Sequence, residues 1–95
     1  MLSLRLKGHA GYEEHGKDIV CASASILAYT LATIVERFED VDTIIRLKSG
    51  DTSIECLCKD EETYRKVADA YHYAKVGYAL LFREYPQYVR LYAPT

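Results

Sequence analysis

Two side chains in the first quarter of the chain are of the types that acyl-transfer chemistry needs. His9 sits in the glycine-rich segment Gly8-His9-Ala10-Gly11, and Cys21 follows in Gly16-Lys17-Asp18-Ile19-Val20-Cys21-Ala22, at the head of a long apolar run. A cysteine attacks carbonyl carbon as the thiolate, which forms more readily at the positive end of a helix dipole or beside a cation. An imidazole titrates near neutrality, so it can take the thiol proton and later hand it to a leaving group. If Asp18 is a helix N-cap, its carboxylate accepts from the backbone N–H of Val20 or Cys21. Cys21 is then the third helical residue, beside N–H groups that have no intrahelical partner and that would steady an oxyanion. The spacing therefore predicts nucleophilic catalysis by a Cys/His pair. The competing expectation is that Cys21 is a small hydrophobe of the core, the usual fate of a reduced cysteine.

Other candidates carry less. His15 lies among charged residues and reads as solvated, while His72, between Tyr71 and Tyr73, reads as a surface or interface residue of a helix. Cys56 and Cys58 form Cys-x-Cys with no second pair, which lacks the spacing of a structural zinc site. They read as half-buried strand thiols, so no metal and no cofactor is expected. Glu13-Glu14 and Asp60-Glu61-Glu62 read as solvated or capping carboxylates. The nine tyrosines read as helix packing rather than as a base-stacking platform.

These residues need a scaffold, and 95 residues suit one small domain. Leu2, Leu4 and Leu6 alternate with polar residues, a period of two that predicts a strand with one buried face. Beyond the glycine-rich loop, Val20, Ala24, Leu27, Leu31, Ile34 or Val35, and Phe38 recur at spacings of three and four, an amphipathic helix of about five turns beginning after Asp18. A second stripe on that helix, Ala22, Ser25, Ala28 and Ala32, would pack on a sheet or form a dimer contact. Alternation then resumes over Val41, Thr43, Ile45 and Leu47 and over Ile54, Cys56 and Cys58. With Ser49-Gly50-Asp51 between them, the two runs predict a hairpin. Asp60 caps a second helix whose stripe is Tyr64, Val67, Tyr71, Ala74, Tyr78, Leu81 and Tyr85; Gly77 inside it implies a packing requirement. Pro86 ends the helix, and Tyr88 to Tyr92 read as a last strand. The predicted class is α+β: a two-layer sandwich of order β-α-β-β-α-β, with two helices on one face of a mostly antiparallel sheet.

Charge narrows the partners. Twelve Lys and Arg against fourteen Asp and Glu give a net charge of −2, without the basic clustering of a groove-reading protein, so no direct nucleic-acid binding is expected. Three cysteines and no secretory signal fit a reduced, cytoplasmic protein. Ile19 to Val35 is uncharged over seventeen positions, but Ser23, Ser25, Thr30 and Thr33 interrupt it and its large side chains share one face. A membrane span is not expected.

The combined pattern of Gly8-His9-Ala10, Gly16-x-Asp18-Ile19-Val20-Cys21-Ala22, Ser25 and the ending Glu84-Tyr85-Pro86-Gln87-Tyr88-Val89 resembles the ribosomal-processing cysteine protease (Prp) family over nearly the whole chain. The resemblance implies a homodimeric α/β protein that removes a short N-terminal extension from a large-subunit ribosomal protein during ribosome maturation, with residues 1–95 as a single domain of this kind. It maps the catalytic pair onto Cys21 and His9, and a supporting or orienting acid onto Asp18. Gly8, Ala10, Gly16, Val20, Ala22 and Ser25 fall to the oxyanion backbone and the substrate loop, with the segment from Ala10 to Lys17 closing over bound peptide. Similar members carry one more strand ahead of the Gly-His-Ala motif and a larger residue at the place of Ala24. The alternative is a catalytically silent dimeric adaptor that binds a ribosomal or phage protein through the same groove.

Overall fold

The computed structural model describes residues 1–7, 15–48 and 51–86, with the backbone alone described for residues 15–18. Its elements are β1 (Leu2–Lys7), α1 (His15–Val35), β2 (Val41–Lys48), β3 (Asp51–Cys58) and α2 (Glu61–Glu84). The strands form an antiparallel sheet of order β1-β3-β2. Both helices lie against one face of it, as the alternation predicts. The described order is β-α-β-β-α with three strands, against four expected; the fourth, Tyr88 to Tyr92, lies outside the described residues.

Register follows from the period of two. Leu4, Ile54 and Ile45 form one row across the sheet, and Leu2, Cys56 and Thr43 the next. Because β3 is central, its inward residues are covered from both sides: Ile54 is 0 % and Cys56 1 % exposed, whereas Leu2, Leu4, Leu6 and Ile45 on the edge strands stay half-buried. α1 closes the layer with Val20, Ala28, Leu31, Ala32 and Val35, and α2 with Val67, Ala74, Tyr78 and Leu81. Each fully buried side chain among Leu31, Ile54, Val35 and Val67 contributes on the order of 1.5–3 kcal/mol. Of the small-residue stripe on α1, Ala28 and Ala32 are buried within the chain, while Ala22 is exposed and Ser25 half-buried. Between Ile34 and Val35, Val35 takes the core position and Ile34 is exposed.

Two boundaries differ from expectation. α1 starts at His15, ahead of the expected cap at Asp18. A single glycine costs a helix about 1 kcal/mol relative to alanine, so Gly16 does not stop a helix whose later turns are buried. At the other end α1 stops at Val35, and Phe38 reaches the core from a turn held by Glu36 N–H to the Ala32 carbonyl (3.1 Å) and Phe38 N–H to the Val35 carbonyl (3.3 Å). The polar residues of the apolar run are accommodated locally. The hydroxyls of Thr30 and Thr33 donate to the carbonyls of Ile26 and Tyr29, each at 2.7 Å. Among the described residues no helix is long and apolar enough to cross a membrane.

Three contacts fix α2. Asp60 is its N-cap, accepting from Thr63 N–H at 2.7 Å and from the Thr63 hydroxyl at 3.0 Å. Gly77 faces Leu27 of α1 closely, for a Cβ there would stand 2.7 Å from a Leu27 methyl. This is the packing requirement behind a glycine in a helix interior. The Tyr71 phenol shares its proton among the carbonyls of Ile54 (2.9 Å) and Leu2 (3.3 Å) and the sulfur of Cys56 (3.3 Å). It thereby ties α2 to both β1 and β3.

Two predictions follow from these anchors. Hydrogen bonds from Thr63 hold the Asp60 carboxyl below its ordinary range. A lowered native value stabilises the fold above the unfolded pKa and is lost as pH falls through the native one. Asp60→Ala is therefore destabilising near pH 7, and its deficit shrinks as pH drops below about 4, read from urea denaturation at both pH values; an equal deficit at both overturns the capping account. Burial raises the Tyr71 and Tyr78 phenols above 10.0, so their contribution is complete below that pH and declines as pH rises beyond it. Tyr71→Phe with Tyr78→Phe should cost roughly 1–3 kcal/mol at neutral pH and flatten the loss of stability on the alkaline side; an unchanged slope refutes it.

Candidate active site

Cys21 occupies the second turn of α1. Counting from His15, it is the seventh helical residue rather than the third, and Asp18 is the fourth rather than the cap. The expectation that Cys21 sits in the first turn is therefore corrected. Only the first four N–H groups of a helix lack intrahelical partners, and the dipole's influence fades beyond the first turn. The backbone N–H groups of Val20, Cys21 and Ala22 fall within the helical ladder and are committed to it. Gly16, second in α1, keeps an N–H at the helix start.

At 100° per residue, Cys21 shares a helix face with Ala24, Ser25 and Ala28. Ala28 is wholly buried, and Cys21 and Ser25 are half-buried, so the thiol lies on the margin of the core rather than inside it. Val20, by contrast, is a core side chain at 7 % exposure. α1 is held here by Tyr78 of α2, whose hydroxyl donates to the Ala24 carbonyl at 2.9 Å, one turn beyond Cys21. Sequence reading took Tyr71 and Tyr78 as apolar stripe residues and missed both phenol bonds. The available signal was the choice of tyrosine over phenylalanine at positions whose rings are buried.

The remaining site residues divide by what is described. Gly8, His9 and Ala10 lie outside the described residues, and with them the His9–Cys21 separation; of Asp18 only the backbone is described. Because β2 and β1 both run antiparallel to β3, they are parallel to each other. α1 must therefore run back along the sheet between them, which puts its N-terminal end at the same end of the sheet as Lys7.

The other two thiols have different surroundings. Cys56 is buried, and desolvation raises its pKa against the opposing Tyr71 hydrogen bond, with the neighbouring Cys58 charge adding to the rise. Burial likewise raises Cys58, partly offset by the terminal ammonium, with Asp60 acting in the same direction as burial. Among the described residues no three His, Cys, Asp or Glu side chains gather as metal ligands would. A shallow apolar groove of about 300 Å³ runs between the helices, lined by Ser23, Ile26, Leu27, Gly77 and Leu80 among others. Ser23 lies on the side of α1 opposite Cys21, so this groove is separate from the thiol.

Comparison with known proteins bears on the family and the fold. A family model described as cysteine protease Prp matches residues 1–90. The crystal structure of SMU.848 from Streptococcus mutans is similar at a TM-score of 0.71 and 30 % identity, over 93 % of this chain and 78 % of that one. No curated protein matches the chain. The family match takes in all five described elements and the segments bearing His9 and Cys21, and so the chain belongs to the Prp family of cysteine proteases.

Proposed function

We propose that this protein is a cytoplasmic cysteine endopeptidase that removes the N-terminal extension of a large-subunit ribosomal protein, acting as a homodimer with Cys21 as nucleophile and His9 as its base. The observation that carries the reading is the family match across both residues, joined to the contrast among the thiols. Burial pushes the Cys56 and Cys58 thiols up from their ordinary range, and Cys56 is further engaged by Tyr71. Neither suits a nucleophile that must ionise, which leaves Cys21 on the margin of the core.

In this reading His9 takes the proton from the Cys21 sulfur, and the thiolate adds to the scissile carbonyl carbon. The tetrahedral anion collapses as imidazolium gives its proton to the departing amine, leaving a thioester. His9 then deprotonates water, which attacks the thioester and releases the acid and the thiol. With Cys21 in the second turn, its activation falls to the imidazole rather than to the helix end. Since Val20 and Ala22 spend their N–H groups on the helix, Gly8, Ala10 and Gly16 are the donors left for the oxyanion. Asp18 orients the segment, and Ser25 lies one turn beyond the thiol on its face. The peptide is covered by the part of the Ala10 to Lys17 stretch that precedes α1, since His15, Gly16 and Lys17 belong to the helix. No metal or organic cofactor takes part.

The test has two arms. Iodoacetamide at pH 6, followed by peptide mass spectrometry, should label Cys21 well ahead of Cys56 and Cys58. An extended ribosomal-protein N-terminus should be cleaved by the native chain, and Cys21→Ala or His9→Ala should lower the rate by about 10³-fold or more. Equal cleavage by native and Cys21→Ala protein refutes the mechanism. Binding of the peptide without cleavage favours the silent adaptor.

A further inference from the structure

Whole-chain charge conceals a local surplus that the sheet register creates. On the sheet face turned away from the helices, Lys7, Asp51 and Lys48 form one row, and Arg5, Ser53 and Arg46 the next. The following rows hold Ser3, Glu55 and Ile44, then Leu57 and Asp42. Four cations thus surround a single carboxylate at one end of this face, while its acids gather at the other, where Asp42 is paired with Lys59 at 3.6 Å. The four form two pairs far apart in sequence, one on β1 and one on β2, and only the β1-β3-β2 order brings the pairs together. All four are exposed.

Asp51 does not cancel this surplus. It accepts a hydrogen bond from Arg46 at 3.3 Å and lies 3.9 Å from Arg5, one negative charge against four positive ones. No ion pair is described for Lys7 or Lys48, which flank it on the outer strands. Adjacent strands are about 4.8 Å apart and alternate residues about 6.7 Å, so the four cations span a flat patch roughly 10 by 7 Å. Ser53 stands at its middle with a hydroxyl. A flat array of two lysines and two arginines suits phosphates spaced along a backbone, since both side-chain types bind phosphate. Serine hydroxyls and lysines together are common backbone contacts.

We propose that this end of the open sheet face binds the sugar-phosphate backbone of single-stranded RNA, without base specificity. The choice of RNA over another polyanion rests in part on the reading that the substrate is a ribosomal protein, which is handled beside RNA. The patch adjoins the end of β1 that leads toward His9, so RNA held here would lie at the same end of the sheet as the proposed active site.

The test is fluorescence anisotropy of a labelled single-stranded RNA with the full chain, at salt concentrations between 25 and 200 mM. Binding should be weak, with Kd on the order of 10⁻⁵ M at the lowest salt, and log K should fall with log salt by about 0.7 for each phosphate contact. Arg46→Gln with Lys48→Gln should make that slope shallower by about 1.4, and Lys48→Gln alone by about 0.7. Lys75→Gln, on exposed α2, should change nothing. Absence of binding, a slope indifferent to the β2 variants, or equal affinity for a polyglutamate peptide of matching charge overturns the proposal. Peptide cleavage measured on the same variants separates the two readings. Cleavage retained with no RNA binding overturns only the RNA site, and RNA binding with no cleavage by the native chain overturns only the protease.

Discussion

The burial of Ile54 and Cys56 under two helices is the constraint on which the structure turns. A central strand must place its apolar alternates on one side, and both neighbours must match that phase or expose their own apolar set, because a slip of one residue inverts every side chain. Leu4 and Ile45 flank Ile54 in register, so the phase of β3 dictates which residues of β1 and β2 look outward. One packing requirement therefore fixes the covered face, the position of α1 and the gathering of Arg5, Lys7, Arg46 and Lys48.

Polar anchoring inside this layer is sparse and specific. Tyr71 meets the carbonyl of Ile54 and the sulfur of Cys56 at the point of deepest burial, which satisfies its phenol where an unpartnered one would cost roughly 1–3 kcal/mol. The same burial makes Cys56 a poor nucleophile. The three cysteines are thus sorted by what surrounds them: two help to make the sheet layer, and one lies at its margin.

Much of the scaffold was legible in the sequence because it rests on periodicity. The alternation of Leu2, Leu4 and Leu6, the antiparallel pairing of β2 with β3, the cap at Asp60 and the stripe from Val67 to Leu81 each express a local rule, and each is found. The head of α1 was not legible. Asp18 is a good capping residue and Gly16 a poor helical one, yet these preferences are worth about 1 kcal/mol each and yield to the packing of the turns that follow. Residue types singled out Cys21 and His9 as candidates, and His9 lies outside the described residues; the place of Cys21 in the second turn depends on where the helix begins. The charge cluster escaped notice for a different reason: proximity across a sheet is a property of register, which no running count of charge along the chain contains.

The bond from the Tyr78 hydroxyl to the Ala24 carbonyl has a consequence for how this protein tolerates change. Interdigitated hydrocarbon accepts exchanges of similar volume, so Leu27, Leu31 and Leu81 define a shape that many side-chain combinations can fill. A phenol reaching one particular carbonyl is directional and has no hydrocarbon substitute. Beside the close fit of Leu27 over Gly77, the axial alignment of the two helices is thus keyed by a single oxygen, and the rest of the apolar layer is left room to drift.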